Sequence, residues 1–270
     1  MNEDNHIDGL SRYARQMLLK GFRKAGQERL VSSHVAVIGC GGLGTVISNH
    51  FVRAGIGCIT IVDRDYIELD NLQRQMLFDE DDISGGLPKA IAAARKLGRV
   101  NSQVTVIPVV TDINPRNIEE VIGNADLVMD GTDNFETRYL INDACVKHHI
   151  PWVYTGVISS RGMTMLIVPH HTPCFRCLMD KRPGPGSMPT SDTVGVLSTA
   201  VDAIGSFAVT EGLKWILRRD NEMQSYLVSV DVWRSELTKF EMKKASRGCP
   251  VCDEGIYDSL DAREETYSAR

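Results

Sequence analysis

Two groups of residues in this chain are spaced for chemistry. The first opens at "VAVIGCGGLG", residues 35–44, where Gly39, Gly41 and Gly44 stand in G-x-G-x-x-G spacing behind an apolar run. Small residues at those positions let backbone approach a phosphate closely, and such a loop serves NAD, FAD and ATP alike. Asp63 follows 19 positions after Gly44, the distance at which an acid hydrogen-bonds ribose hydroxyls; as a helix cap or turn residue it would need no ligand. Beyond it lie "DNLQRQ", residues 70–75, and "LPKA" with Lys89. A dinucleotide's bridged phosphates are largely satisfied by a helix N-terminus, whereas a triphosphate brings extra charge and a pyrophosphate leaving group that needs fixed cations. Arg74 and Lys89 could supply them, although each alone reads as a solvated surface cation. "VMDGTDNFETR", residues 128–138, sets Asp130, Asp133, Asn134 and Arg138 at the end of a strand-like run. A carboxylate beside a triphosphate reads as a Mg²⁺ ligand, because magnesium favours one or two carboxylates plus phosphate oxygens. Capping of the next helix is the alternative, above all for Asn134.

The second group is two C-x-x-C units, Cys174/Cys177 and Cys249/Cys252. Four thiolates suit a closed tetrahedral Zn²⁺ site, although the stretch between the pairs is far longer than in a compact zinc ribbon. Redox dithiols are the competing reading. The other three cysteines, Cys40, Cys58 and Cys145, fall in apolar segments and read as small buried hydrophobes.

Positioning these groups takes an α/β frame. Strand-like runs end near Ile38, Asp63, Pro108 and Asp130, with helical patterns at Leu43 to Ala54, Leu87 to Leu97 and Asn117 to Ile122. That alternation predicts a Rossmann-like, mainly parallel sheet. A helix from Phe135 to His149 leads into "PWVYTGV" and "MTMLIVP", an expected antiparallel hairpin, and "SYLVSVDVW" and "TKFEM" are further strands that extend the sheet. Between them, "KRPGPGSMPTSD" reads as a loop near or over the site, and the run Val194 to Leu217 as a buried core helix. The expected division is an N-terminal helical arm over 1–33, one single domain over 34–252 that holds both groups of residues, and a polar, frayed tail over 253–270.

At 270 residues and 43% hydrophobic the chain can bury a full core, and its net charge of -5 offers no broad basic surface for nucleic acid. The acidic "MNEDNHIDGL" lacks the order of a secretory signal, and Asp202, Glu211 and Lys214 interrupt the longest apolar run. The expectation is a cytoplasmic protein with no membrane partner.

With these residues in view, the chain resembles the ThiF/MoeB/HesA family of adenylyltransferases, relatives of the ubiquitin-activating enzymes. The matching pieces are "SRYARQMLL", "GCGGLG", "VDRDYIELDNLQRQ", "LPKA", "TDNFETR", "PCFRC" and "CPVC", in order across nearly all of residues 11–252. The thiamine-pathway form of Gram-positive bacteria is matched through "FVRAGIG", "TDNFETR" and "VSVDVW". The resemblance implies that Gly42, Asp63, Asn71, Arg74, Lys89 and Asp133 surround ATP and Mg²⁺, with Gly39, Gly41, Gly44, Asp65, Asp70, Gln73 and Asn134 completing the nucleotide site. It implies that Arg15 reaches across a homodimer into the partner's triphosphate, and that the four cysteines hold structural zinc. It implies a substrate too: the C-terminal glycine carboxylate of a small ubiquitin-like sulfur carrier ending in Gly-Gly, with a separate sulfur donor such as a cysteine desulfurase. Where the thiamine-pathway form carries a loop cysteine, in T-C-x-x-x-G, this chain reads "TSDTVG" with Ser191. A related enzyme adenylating a peptide precursor or a modified tRNA base, and an NAD-dependent oxidoreductase, are the alternatives.

Overall fold

In the computed structural model, which describes residues 9–184, 186–218, 226–243 and 248–261, the chain forms one eight-stranded sheet in the order β3-β2-β1-β4-β5-β6-β7-β8. Its elements run in sequence as α1 (Ala14–Met17), α2 (Arg23–Ser32), β1 (His34–Ile38), α3 (Gly42–Ala54), β2 (Cys58–Val62), α4 (Glu80–Gly85), α5 (Lys89–Val100), β3 (Thr105–Val109), α6 (Ile118–Ile122), β4 (Leu127–Asp130) and α7 (Phe135–Lys147). The second half continues with β5 (Trp152–Ile158), β6 (Arg161–Ile167), α8 (Phe175–Leu178), α9 (Ser191–Val194), α10 (Ser198–Ile216), β7 (Tyr226–Asp231), β8 (Glu236–Glu241) and α11 (Asp258–Asp261). The strands from β3 to β5 pair in parallel; β6, β7 and β8 are added antiparallel. The expected hairpin is thus β5–β6, and the two later strands extend the same sheet.

β1 carries apolar residues on both faces because the sheet is covered on both. Val35 and Val37 join the core built with α3, α5 and α10. Ala36 and Ile38 join the opposite core, which holds α7 and all four paired cysteines. α10 buries Val201, Ile204, Ala208 and Gly212 but leaves Ser206, Phe207 and Thr210 exposed, so it is amphipathic rather than a fully buried core helix. Among the described residues no helix is long and apolar enough to cross a membrane. Within the stretch expected to fray, residues 253–256 are exposed but α11 packs on α7, where Asp143 accepts the Ser259 N–H at 3.0 Å and Ser259 is 4% exposed; residues 262–270 lie outside the described residues.

Register fixes where the strands end together. Ile38 stands opposite Val62 on one side and Asp130 on the other, so Gly39, Asp63 and Gly131 each begin one step past the same row. The Gly39 N–H donates to Val62 O and the Gly131 N–H to Ile38 O, both at 2.8 Å. A Cβ on Gly44 would lie 1.9 Å from Gly39 O, which makes Gly44 a packing glycine that lets α3 start against the strand end. Gly44→Ala is expected to lower unfolding free energy by at least about 2 kcal/mol, since rigid backbone must move; urea denaturation would measure it, and parent-like stability would contradict this account.

Candidate active site and cysteine centre

At the carboxyl edge of β1, β2, β3 and β4 lies a cavity of about 720 Å³. This is where an open α/β sheet accepts ligands, because the strand order reverses between β1 and β4 and the connecting loops diverge. Gly39, Gly41, Gly42, Asp63, Asp65, Asp70, Asn71, Arg74, Lys89, Asp133 and Asn134 all line it, and so does Ser191. α3 begins on its floor with Gly41 as N-cap, so free backbone N–H groups and the positive end of the helix dipole are available to an anion.

Two of the residues expected in the chain's own nucleotide site, Gly44 and Gln73, are placed otherwise. Gly44 is behind the loop, as above. Gln73 is exposed and outside the lining, and Gln75 takes the place expected for it. The reason is helical spacing: residues 69–71 form a 3₁₀ turn and Gln75 N–H donates to Asn71 O at 2.9 Å, so positions three and four beyond Asn71 share its face while position two points away. Gln75 is 3% exposed and its Oε1 has no partner, a buried acceptor facing a ligand cavity. The i, i+3, i+4 pattern within "DNLQRQ" is the signal that would have found it. Arg15, on α1, is exposed and absent from the lining of its own chain's cavity.

Several side chains in the cavity are already braced. Asp63 accepts the Cys40 N–H at 2.7 Å and the Asp65 N–H at 2.8 Å, so it ties the glycine loop to β2 while two carboxylate oxygens keep further lone pairs for hydroxyls. Burial pushes its pKa up, and those N–H groups and Lys89 oppose the shift. Burial also drives the Cys40 thiol far above its usual range, which leaves it an inert packing residue. Lys89 opens α5, is 7% exposed and reaches Asp65 at 3.4 Å. Arg74 donates to Asp70 O at 2.9 Å. Asn134 caps α7 by accepting the Thr137 N–H at 2.8 Å, so the capping reading holds for it even though it also faces the cavity.

Asp130 belongs to the scaffold rather than the cavity wall. It is wholly buried and pairs with Arg138 at 3.1 Å. Its carboxylate also accepts the Thr132 N–H at 2.9 Å, the Thr132 hydroxyl at 2.6 Å and the Thr155 N–H at 3.3 Å. Arg138 donates to Thr132 O at 2.7 Å and lies over the Phe135 and Tyr154 rings. The pair therefore fixes the 131–134 turn that presents Asp133. Counted over the lining, Arg64, Arg74, Lys89 and Arg138 face six carboxylates: Asp63, Asp65, Glu68, Asp70, Asp112 and Asp133. A single chain thus does not make this cavity cationic.

On the other core, the Sγ atoms of Cys174, Cys177, Cys249 and Cys252 all lie within 4.8 Å of one another, with Cys174–Cys177 at 4.0 Å and Cys174–Cys249 and Cys177–Cys252 each at 3.6 Å. Four sulfurs at about 2.3 Å from a zinc ion form a tetrahedron with edges near 3.8 Å, so the set fits Zn²⁺. Burial and the neighbouring thiols push Cys252 up to about 12, a cost that a divalent cation would remove by holding thiolates. Asn142 accepts the Phe175 N–H at 2.9 Å and Tyr139 donates to Met179 O at 2.9 Å, which anchors the first cysteine pair to α7.

Arg138→Met leaves Asp130 buried without its counter-ion and is expected to cost about 3–5 kcal/mol in urea unfolding; a loss under about 1 kcal/mol would show that the pair holds nothing. Purified protein is expected to carry about one zinc per chain by metal analysis, and Cys252→Ser to lose it together with thermal stability. Parent-like melting of metal-free protein would rule out a structural ion.

Residues 13–251 match the ThiF family. The chain is 41% identical over 261 residues to the sulfur carrier protein ThiS adenylyltransferase of Bacillus subtilis, covering 96% of this chain and 76% of that protein. It is 36% identical over 250 residues to the sulfur carrier protein adenylyltransferase of Thermus thermophilus, covering 90% of each. Its fold is shared with the solved structure of E. coli MccB with ATP, at a TM-score of 0.76 and 24% identity over 89% of this chain and 74% of that one. With a family match spanning nearly the whole described frame, the chain belongs to the ThiF family.

Proposed function

We propose that this protein is an adenylyltransferase that uses ATP to activate the C-terminal glycine carboxylate of a small ubiquitin-like sulfur carrier, preparing it for sulfur transfer of the thiamine or molybdopterin type. The observation that carries the reading is the convergence of the glycine loop, Arg74, Lys89 and Asp133 on one cavity, in a chain whose relatives are named as sulfur carrier adenylyltransferases.

The chemistry joins two anions. The carrier carboxylate attacks the α-phosphorus, the bond to the β-phosphate oxygen breaks, and pyrophosphate departs to leave an acyl-adenylate. A carboxylate is already a nucleophile, so no general base is needed; the barrier to be lowered is Coulombic and orientational. The start of α3 would hold phosphate oxygens, Asp63 and Asn71 the ribose side, and Arg74 and Lys89 the charge that grows on the leaving group. Because carboxylates outnumber cations in the lining, added positive charge is required. Mg²⁺ on Asp133 and Arg15 from a second copy in a homodimer are the proposed sources, the ion acting to neutralise phosphate charge.

Ser191 lines the same cavity. A serine hydroxyl is a far weaker nucleophile than a thiolate, so no covalent sulfur step is assigned to it, and sulfur would come from a separate donor such as a cysteine desulfurase.

The test is Mg²⁺-dependent exchange of pyrophosphate into ATP with ThiS-like and MoaD-like carriers side by side. Exchange is expected with a Gly-Gly-ended carrier and not with one lacking that tail. Asp133→Ala is expected to reduce it by roughly 100-fold or more, while Ser191→Ala stays near the parent rate. Exchange with neither carrier would transfer the reading to another carboxylate, and dependence on Ser191 rather than Asp133 would overturn the roles assigned.

A further inference from the structure

The corner of the molecule where α7 ends and the β5–β6 hairpin opens holds two exposed histidines whose rings lie side by side at a tilt. The hairpin register pairs Trp152 with Ile167; carried three residues outward on each side, it sets His149 opposite His170. Their ring centroids are 4.7 Å apart, with planes tilted by 38°. Both residues have left-handed backbone, φ 56° and φ 65°, where glycine or asparagine is the cheaper choice. His149 sits just past the end of α7, its N–H donating to Val146 O while the Ile150 N–H donates to Cys145 O. That is the hydrogen-bond pattern of a helix stop usually closed by glycine. His148 next to it is already engaged, its Nε2 lying 2.6 Å from Glu119.

We propose that His149 and His170 form a second metal site, separate from the four cysteines, for a divalent late first-row transition ion that takes two adjacent imidazoles. Bonds of about 2.1 Å at roughly 90° put the centroids of two such rings about 4.5 Å apart, and a tetrahedral pair opens this to about 5.2 Å. The observed spacing is nearer the first, the arrangement of square-planar or octahedral Ni²⁺ and Cu²⁺, with water filling the other positions. An ion here would clamp the open end of the hairpin on the turn that runs from Val168 into Cys174, where His171 N–H donates to Val168 O at 3.0 Å.

The experiment uses full-length protein with zinc content measured before and after, Ni²⁺ as the only added metal, and titration calorimetry alongside thermal melting. Parent protein is expected to bind one Ni²⁺ per chain with a raised Tm and unchanged zinc. His149→Asn and His170→Asn, both tolerant of left-handed backbone, are each expected to weaken Ni²⁺ at least about tenfold and abolish the Tm shift, while His171→Asn keeps both. No Ni²⁺ binding by the parent, or retention of binding in either of the two variants, overturns the proposal. Carrier-dependent exchange is unaffected by either result, so this test stands apart from that of the activity.

Discussion

Backbone meets backbone where the sheet's central strands end, and the site is built on that contact. A Cβ on Gly39 would lie 2.8 Å from Gly131 O, and one on Gly131 would lie 2.5 Å from Gly39 O. Gly39 itself has φ 91°, a conformation that side chains make costly. With no side chains to separate them, the ends of β1 and β4 and the start of α3 close on one another. The first turn of α3 thereby faces open space at the sheet edge instead of apolar core, and its unpaired N–H groups become binding capacity rather than a desolvation penalty.

Around this contact, α7 is the element that joins the two chemical centres. Its N-terminus is capped by Asn134 and braced by the buried Asp130–Arg138 pair, which holds the turn bearing Asp133. One turn further along, Tyr139 and Asn142 hold Met179 O and the Phe175 N–H, and Asp143 takes the Ser259 N–H. One helix therefore orients a cavity wall, the first cysteine pair and the C-terminal helix. The same cysteine region precedes the loop that ends at Ser191 on the cavity wall. The first pair of the centre that closes the second core thus stands in the chain just ahead of the segment that reaches the cavity wall.

Much of the frame was legible in the chain. The strand ends at Ile38, Asp63 and Asp130 and the helices beginning near residues 43, 89 and 135 follow from period-2 and period-3.6 patterns, turn residues and a cap. Where the reading slipped, the cause was local geometry. Gln73 and Gln75 are alike in composition and differ by half a turn of a short helical segment that no apolar periodicity announces. α10 read as core because its residues are apolar; its exposed face became evident only when α3, β5 and β6 covered the other side. The tail after Asp253 read as frayed because polar residues carry no burial signal, yet Asp143 and the Ser259 N–H satisfy each other at a buried position.

By itself the sequence determined which groups this protein owns: a glycine loop, cations and carboxylates at fixed spacings, and two cysteine pairs, because local pattern and covalent spacing are written along the chain. Tertiary structure alone decided which of them meet. It withdrew Asp130 into a buried ion pair, left Arg15 outside its own chain's cavity, drew together cysteines 75 residues apart, and set His149 beside His170. Those outcomes depend on register and on which face of a helix is buried, quantities fixed by contacts between distant segments and absent from any single stretch of sequence.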